Sequence, residues 1–347
     1  MSFDPSNILV IDFGQLGDVV LSLPALRAIR QRFPKARITV AVGKPGAEIV
    51  DLSGYADSTL VVDRVALRDG VKLVSIGRLI KLVKEVRQRK FDFVIDLHSL
   101  SETNMLGFLS GAPKRLYSRR PGRSLDFLAN FKPQPPIDYN NPNQHLIDRY
   151  LEVLVPLGIK DAPRVPRLDT RPQEDLAVEA LLRKAKANTG APLVGLFPGA
   201  GHPSRCWPLA RFAELADYLI RNDRLRVVVF LGPEEALKVK EVRRLFPDST
   251  VILERLTIPQ LASAQARLSV FVTNDTGPMH IAAAVGTAVV VLLARPRPNE
   301  FNPVGESHRA IYSRAIDEIS VDQAYQATRE LLVSNRMAGL FSGSHRA

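Results

Sequence analysis

The chain has 347 residues, 46% of them hydrophobic and 24% charged, which is typical of a globular protein with two domains. No apolar run reaches the roughly 20 residues that a membrane-spanning helix needs, and the polar residues 1–7 predict that there is no signal peptide. The single cysteine, Cys206, excludes internal disulfides and cysteine-based metal clusters, so we expect a cytoplasmic protein.

The formal net charge of +11 favours an anionic partner, which can be a phosphorylated substrate, an anionic membrane or a nucleic acid. The positive charge is concentrated in one segment with Pro and Gly residues, which predicts a long loop with one or two short helices. A solvated basic loop is the simpler interpretation of such a segment. No zinc-finger spacing or aromatic RNA-binding signature accompanies it, so we expect no nucleic-acid partner. Its basic residues are Lys114, Arg115, Arg119, Arg120, Arg123 and Lys132.

Short β-rich runs alternate with helical patterns over the first hundred residues. Continuous apolar strands indicate burial on both faces, as in a parallel sheet covered by helices. After the basic segment, residues 144–157 predict another helix. The predicted strands are 8–11, 38–42, 59–62 and 93–97, and the predicted helices are 23–33 and 71–90.

A linker is predicted at 161–172, where three prolines fall in a polar stretch, and the alternation then begins again. The pattern predicts an α/β protein with two doubly wound Rossmann-like domains, 1–165 and 170–318, facing a central cleft. An amphipathic helix at about 319–335 is expected to pack back on the first domain. The second set of strands is 193–197, 226–231, 250–253, 268–272 and 288–293, with helices near 208–222, 233–245 and 277–285.

The first strand runs into a turn with two glycines, Gly14 and Gly17, three residues apart. The third glycine of the dinucleotide fingerprint is missing, and no acidic residue closes the next strand near Val42, so a nicotinamide-binding domain is disfavoured. Asp18 follows at the start of a helix. It either stabilises the helix N-terminus or acts as a carboxylate general base for a hydroxyl nucleophile.

Two loops of the second half carry candidate ligand contacts. Gly199 and Ser204 lie in a Gly-rich loop after a strand, and Arg205 of the same loop could reach a phosphate with a pair of N–H donors. An exposed loop arginine is the alternative. Glu235 follows a later strand, where it either binds a ribose or sugar hydroxyl or serves as a helix-start acid.

The run from Val272 to His280 joins an apolar strand to an apolar helix through a turn. The free amides at Gly277, the positive end of the helix dipole and the Thr276 hydroxyl favour a phosphate, and His280 would share the face of Thr276. We therefore interpret Asp275, Thr276, Gly277 and His280 as a diphosphate pocket. The alternative is that Asp275 or Thr276 is only a cap and His280 a hydrogen-bonded residue between helix and sheet.

In their order along the chain, these motifs resemble glycosyltransferase family nine, the bacterial ADP-heptose:lipopolysaccharide heptosyltransferases, over about residues 8–305. The resemblance implies the GT-B fold, with the acceptor on the first domain and the nucleotide-sugar on the second. It also implies an inverting, metal-independent transfer without a cofactor, and the absence of an Asp-x-Asp motif agrees with this. The matching segments are Gly17-Asp18, Leu23-Pro24-Ala25-Leu26, Phe197-Pro198-Gly199-Ala200, Arg205-Cys206-Trp207-Pro208 and Asn274-Asp275-Thr276-Gly277-Pro278-Met279-His280.

By this resemblance Asp18 matches the proposed base, and Arg205 occupies a position usually filled by a phosphate-binding lysine. Arginine keeps the charge but not the shape, so the phosphate contact can differ. Many relatives carry Thr-Asp-Pro after the last strand, whereas residues 294–299 read Ala-Arg-Pro-Arg-Pro-Asn here, which leaves the sugar open.

The predicted function is transfer of a heptose from ADP-heptose to a lipopolysaccharide core acceptor. The partners would be a nucleotide-diphosphate sugar and a phosphorylated, lipid-anchored saccharide, the latter bound by Arg119, Arg120 and Arg123. Peripheral contact with the anionic cytoplasmic face of the inner membrane would follow. The alternatives are a transferase that uses another nucleotide-sugar for a surface polysaccharide, and a nucleotide-sugar-binding protein without turnover.

Overall fold

A computed structural model describes residues 3–62, 73–187, 190–294 and 300–342. The chain divides into two compact units, Met1–Arg167 and Leu168–Ala347. The boundary falls within the proline-containing stretch that predicts a linker. No helix within the described ranges is both long and apolar enough to cross a membrane.

The first unit is built on a five-stranded sheet in which every pairing is parallel and the strand order is β3-β2-β1-β4-β5. Its inner strands are almost completely buried, as the apolar runs predict. The strands are β1 Asn7–Asp12, β2 Arg37–Val42, β3 Ser58–Val61, β4 Phe93–Asp96 and β5 Lys114–Tyr117. The helices are α1 Leu16–Arg32, α2 Lys44–Ser53, α3 Leu73–Gln88, α4 Ser101–Leu109 and α5 Leu146–Glu152.

Two predictions for the first unit were wrong. The helical range predicted at 23–33 was too short: α1 begins at Leu16, in agreement with the helix start predicted at Asp18, so Pro24 lies inside the helix, which is buried from Val19 to Ile29 apart from one residue. Strand β5 lies in the basic segment that predicts a loop. Its sequence Lys-Arg-Leu-Tyr lacks a long apolar run because β5 is an edge strand, where charged side chains are tolerated and block further pairing.

The second unit has a six-stranded parallel sheet in the order β11-β10-β9-β6-β7-β8. Alternate residues of its strands contribute to two apolar cores, one on each face. The strands are β6 Leu193–Phe197, β7 Arg226–Leu231, β8 Val251–Glu254, β9 Val270–Asn274, β10 Ala288–Leu293 and β11 His308–Tyr312. The helices are α6 Pro172–Lys184, α7 Leu209–Asp223, α8 Val239–Leu245, α9 Ile258–Gln265, α10 Gly277–Ala284 and α11 Val321–Ser342.

The last helix, which was expected to pack back on the first domain, belongs to the second compact unit. Helix α11 lies in the second unit and packs on α7, β9, β10 and β11. Its apolar stripe, which includes Ala324, Tyr325 and Leu331, completes the core on that face of the second sheet. The polar, half-exposed strand β11 precedes it and was also missed in the sequence.

Each sheet has one point at which the strand order reverses, between β1 and β4 in the first unit and between β6 and β9 in the second. Loops that leave adjacent strands in opposite directions open a crevice there, which is where ligands bind in such sheets. The segments that follow these four strands contain the predicted site residues Asp18, Arg205 and Asp275.

Candidate active site

A buried ion pair lies at the reversal point of the first sheet. Asp12 ends β1 and is fully buried, and its Oδ1 lies 3.1 Å from Nδ1 of His98, two residues beyond β4. Burial alone would raise the pKa of Asp12, but the hydrogen bond and charge of His98 and the Gly14 amide lower it below its ordinary value. The ionised carboxylate can only accept, so Nδ1 of His98 carries the proton.

The same contacts act on the imidazole. Burial would lower the pKa of His98, but the hydrogen bond to Asp12 and the charges of Asp12, Asp18 and Asp96 raise it above its ordinary value. Because 16% of the His98 side chain is exposed, the ring is in contact with solvent as well as with the carboxylates. The surrounding carboxyl groups therefore shift the equilibrium of the His98 ring toward its protonated form.

Asp96, the last residue of β4, is equally buried, but the pKa of its carboxyl is shifted in the opposite direction from that of Asp12. Its Oδ1 accepts hydrogen bonds from the backbone N–H groups of His98 and Ser99, at 3.0 and 2.7 Å, and its Oδ2 accepts one from Nδ2 of Asn104 at 2.7 Å. Burial nevertheless raises its pKa to about 6. Asp96 thus anchors the loop after β4 and the first turn of α4.

The predicted base Asp18 stands beside the ion pair. It is half-buried in the first turn of α1, and its Oδ2 accepts the backbone N–H of Gln15 at 2.8 Å. A side chain at Gly14 would overlap Asp18 and approach Oδ1 of Asp12, so only glycine lets the two carboxylates come this close. The ring of Tyr150 in α5 lies 6.4 Å from the His98 ring, centroid to centroid. Burial, and then the charges of Asp12 and Asp18, raise the pKa of the Tyr150 hydroxyl well above its ordinary value.

The three predicted acceptor arginines occupy two environments. Nη1 of Arg120 donates to the backbone oxygen of His98 at 3.5 Å, and its guanidinium lies 5.3 Å from the ring centroid of Tyr139. Arg119 and Arg123 are exposed on the surface that adjoins Arg120 along the chain. Arg120 therefore lies against the backbone of His98, while the other two extend the positive field outward.

At the reversal point of the second sheet, the side chain of Asn274 holds the loop after β6. Asn274 is fully buried; its Oδ1 accepts the backbone N–H of Trp207 at 3.0 Å, and its Nδ2 donates to the carbonyls of Pro198 and Gly199 at 3.0 and 3.1 Å. Trp207 is buried, as predicted for a packing residue, and its Nε1 donates to the carbonyl of Ile319 at 2.8 Å. These bonds fix both ends of the loop that carries Arg205.

Arg205 and Asp275 are brought together although they are 70 residues apart in the chain. Nη1 of Arg205 lies 3.5 Å from Oδ2 of Asp275, with the arginine half exposed and the aspartate buried. Thr276 precedes the first residue of α10, Gly277, and its side chain makes no capping hydrogen bond. His280 is buried within the same helix. The guanidinium and the helix N-terminus thus lie at one strand end, where both favour an anion.

Gly199 and Glu235 also meet. Glu235 is buried, and its Oε2 accepts the N–H of Gly232 at 3.1 Å, which is the helix-start role considered in the sequence. A side chain at Gly199 would overlap the Glu235 carboxylate, and burial raises the pKa of that carboxyl. Ser204 is exposed and is hydrogen-bonded to His202, with 2.8 Å between its Oγ and Nδ1.

The comparisons with known proteins decide the family. The family model described as Glycosyltransferase family 9 (heptosyltransferase) matches residues 79–328. The chain belongs to glycosyltransferase family 9. It is a glycosyltransferase enzyme, and the resemblance stated from the sequence is confirmed.

Individual relatives agree with the family match. Lipopolysaccharide heptosyltransferase 2 of Escherichia coli strain K12 is 26% identical over 318 residues, 88% of this chain and 87% of that protein. A solved family 9 glycosyl transferase from Veillonella parvula DSM 2008 has a TM-score of 0.84 at 23% identity, covering 96% and 99% of the two chains. Escherichia coli heptosyltransferase WaaC with ADP-2-deoxy-2-fluoro heptose gives 0.75 at 17% identity, covering 93% and 99%. The predicted GT-B fold is confirmed.

Two residues of the candidate site, Asp12 and His98, were missed in the sequence, and Asn274 was named only as part of a matching segment, without a role. Asp12 and Asn274 each end an apolar strand, and a polar residue at that position was the available signal. His98 could not be paired with Asp12 from the sequence, because 86 residues separate them. The segment at which the chain departs from its family, residues 295–299, lies outside the described residues.

The ion pair in this glycosyltransferase predicts a pH-dependent effect of His98→Asn. Because the pKa of His98 is raised on folding, the protonated ring stabilises the folded state. This stabilisation is complete below the unfolded pKa of 6.5 and is lost as the pH rises through the folded pKa. The variant should therefore lose about 1.5–3 kcal/mol, the range for a hydrogen bond to a charged group, at about pH 6 and less at about pH 9. Urea denaturation at both pH values measures this.

His202→Asn, at an exposed histidine of the second unit, controls for the loss of an imidazole. A loss for His98→Asn that is equal at both pH values would mean that the ring only fills space.

Proposed function

We propose that this family 9 enzyme transfers a heptose from ADP-heptose to a lipopolysaccharide core acceptor, with inversion at the anomeric carbon and without a metal ion. The relatives support the substrates: one is a lipopolysaccharide heptosyltransferase, and another was solved with ADP-2-deoxy-2-fluoro heptose. The acceptor would bind the first unit and the donor the second.

The observation that carries the proposal is the position of Asp18 at the reversal point of the first sheet, beside the buried Asp12–His98 pair. A carboxylate there can take a proton from an acceptor hydroxyl as the oxygen attacks the anomeric carbon. The bond from that carbon to the diphosphate breaks in the same step, and ADP departs with the electron pair. The His98 ring, when protonated, can hold the acceptor or stabilise the Asp18 carboxylate, and Arg120 can bind an anionic group of the saccharide.

Negative charge grows on the departing diphosphate, and the second unit offers donors for it. The Arg205 guanidinium, the N–H of Gly277 and the positive end of the α10 dipole would bind the phosphate oxygens without a metal ion. The buried Asp275 holds Arg205 from the side, and Asn274 fixes its loop, so little reorganisation is needed when the charge appears.

Asp18→Asn is predicted to abolish turnover while sparing donor affinity, because an amide can still accept the Gln15 N–H but cannot take a proton. Loss of a general base reduces the rate by about two to four orders of magnitude. Loss of a helix-start charge reduces stability by only about 0.3–1 kcal/mol. A coupled assay of ADP release, together with a melting curve, measures both quantities.

The matched control is Asp322→Asn, which removes an exposed carboxylate from the first turn of α11. If the Asp18 variant behaves like this control, with turnover within about threefold of wild type, Asp18 is only a helix-start residue and is not the base.

Arg205→Gln is predicted to weaken ADP binding about ten- to hundredfold, since a hydrogen bond to a charged group contributes about 1.5–3 kcal/mol. Isothermal titration should give the same wild-type affinity with and without EDTA. Arg243→Gln, at an exposed residue of α8, should leave the affinity unchanged. Binding of ADP that disappears on chelation would contradict a metal-free donor site.

A melting screen against ADP-, GDP-, UDP- and dTDP-sugars distinguishes ADP-heptose from another donor.

The triple change Arg119→Ser, Arg120→Ser and Arg123→Ser is predicted to weaken binding of a phosphorylated lipopolysaccharide precursor and to leave donor affinity nearly unchanged. Removing the same number of charges at Lys240, Arg243 and Arg244 of α8 should affect neither. Titration of each substrate separately measures this. Equal loss of both affinities in a folded variant would show that the arginines do not serve the acceptor.

A further inference from the structure

Large apolar side chains are exposed on one surface of the first unit. Met105 and Phe108 of α4 are 41% and 44% exposed, and Phe127 is 77% exposed, the largest fraction for a large hydrophobic residue in the part of the chain that the structure describes. Phe127 lies in a 3₁₀ turn, Asp126–Leu128, that packs against α4. The helix that carries Met105 and Phe108 and the turn that carries Phe127 thus place three exposed apolar side chains in one region of the first unit, and exposed apolar patches mark binding surfaces.

The turn and the helix are held together by hydrogen bonds. The N–H of Leu125 donates to Oδ1 of Asn104 at 2.8 Å, and Oγ of Ser101 donates to the carbonyl of Arg123 at 2.9 Å. Arg115 connects them again, since its guanidinium lies 5.4 Å from the Phe108 ring centroid and its Nε donates to the carbonyl of Leu128. The three apolar side chains are therefore displayed on a fixed backbone.

The opposite face of α4 supplies what the unit needs for its core. Thr103, Asn104, Leu106 and Gly107 are buried. The core is therefore packed by the buried face of α4, and the exposed apolar residues of this helix are not needed for it.

Positive charge surrounds the apolar residues. Residues 101–132 contain six basic side chains and two acidic ones. Lys114, Arg119, Arg123 and Lys132 are exposed, so their charges are available to a partner. Aromatic side chains bordered by arginine and lysine match the interface of a bilayer with anionic lipids, where rings enter the headgroup region and cations meet phosphates.

We propose that Met105, Phe108 and Phe127, with the basic residues around them, form a lipid-docking surface that binds the anionic headgroup region of a bilayer. The inference rests on the proposed function in one respect: a lipid-anchored acceptor would be met at such a surface. The surface adjoins the acceptor site, because Asn104 bonds both Leu125 of the turn and the buried Asp96. Docking would bring a membrane-borne saccharide next to Arg120 and Asp18.

Co-sedimentation of the full chain with vesicles tests the proposal. Wild type should bind vesicles of phosphatidylglycerol and phosphatidylcholine and should not bind pure phosphatidylcholine. The triple variant Met105→Ser, Phe108→Ser and Phe127→Ser should bind the anionic vesicles about tenfold more weakly or worse. The control replaces Leu176, Leu181 and Val333, exposed apolar residues of the second unit, by Ser and should bind like wild type.

Folding is checked by melting curves, and the single change Phe127→Ser serves as a second, milder variant because that side chain is mostly solvated. Wild type that ignores anionic vesicles, or a folded triple variant that binds as wild type does, would overturn the proposal. The proposal would also be overturned if the triple substitution changed the oligomeric state of the protein in the absence of vesicles, because the surface would then bind a second copy of the chain.

A separate activity assay tests the proposed transferase reaction. Turnover with a delipidated acceptor should be the same for wild type and the triple variant. If wild type turns over no acceptor but still needs these three residues for vesicle binding, the lipid-docking surface stands and the proposed reaction fails.

Discussion

The inner strands of both sheets are almost completely buried and apolar, so the polar side chains of the candidate site lie where these strands end. This constraint produces the site. Asp12, Asp96 and Asn274 each close a strand next to a reversal of strand order, and each is fully buried. A buried polar group without partners is costly, so the loops that follow must supply hydrogen bonds, and those loops carry the chemistry.

Asp12 and Asp96 show how the surroundings of a buried carboxyl decide its state. Burial raises the pKa of both, but a histidine ring bonds Asp12 directly, whereas backbone amides and an asparagine bond Asp96. The pKa of Asp12 is lowered, which favours its anion, whereas the pKa of Asp96 is raised to about 6. The Asp12 carboxylate in turn raises the pKa of His98, which favours the protonated form of the ring beside Asp18.

The sequence predicts much of the fold because parallel strands covered on both faces must be apolar throughout, and the runs at β1, β6 and β10 have that pattern. The edge strands β5 and β11 escape prediction because one side of each faces solvent and their sequences are charged. Only part of the candidate site can be predicted from the sequence. Motif positions such as Asp18 and Asp275 follow from local sequence, but the pairing of His98 with Asp12 depends on strand order, which no local pattern contains.

The tryptophan after the Arg205 loop gives the last helix an influence beyond packing. Trp207 is bonded through its backbone to Asn274 and through its indole to the carbonyl of Ile319, two residues before α11 begins. The C-terminal segment therefore helps to hold the Arg205 loop in place through the hydrogen bond between Trp207 and Ile319. A chain shortened ahead of Ile319 would leave a buried indole N–H without its acceptor, and the disturbance would be transmitted to the loop and not confined to the chain end.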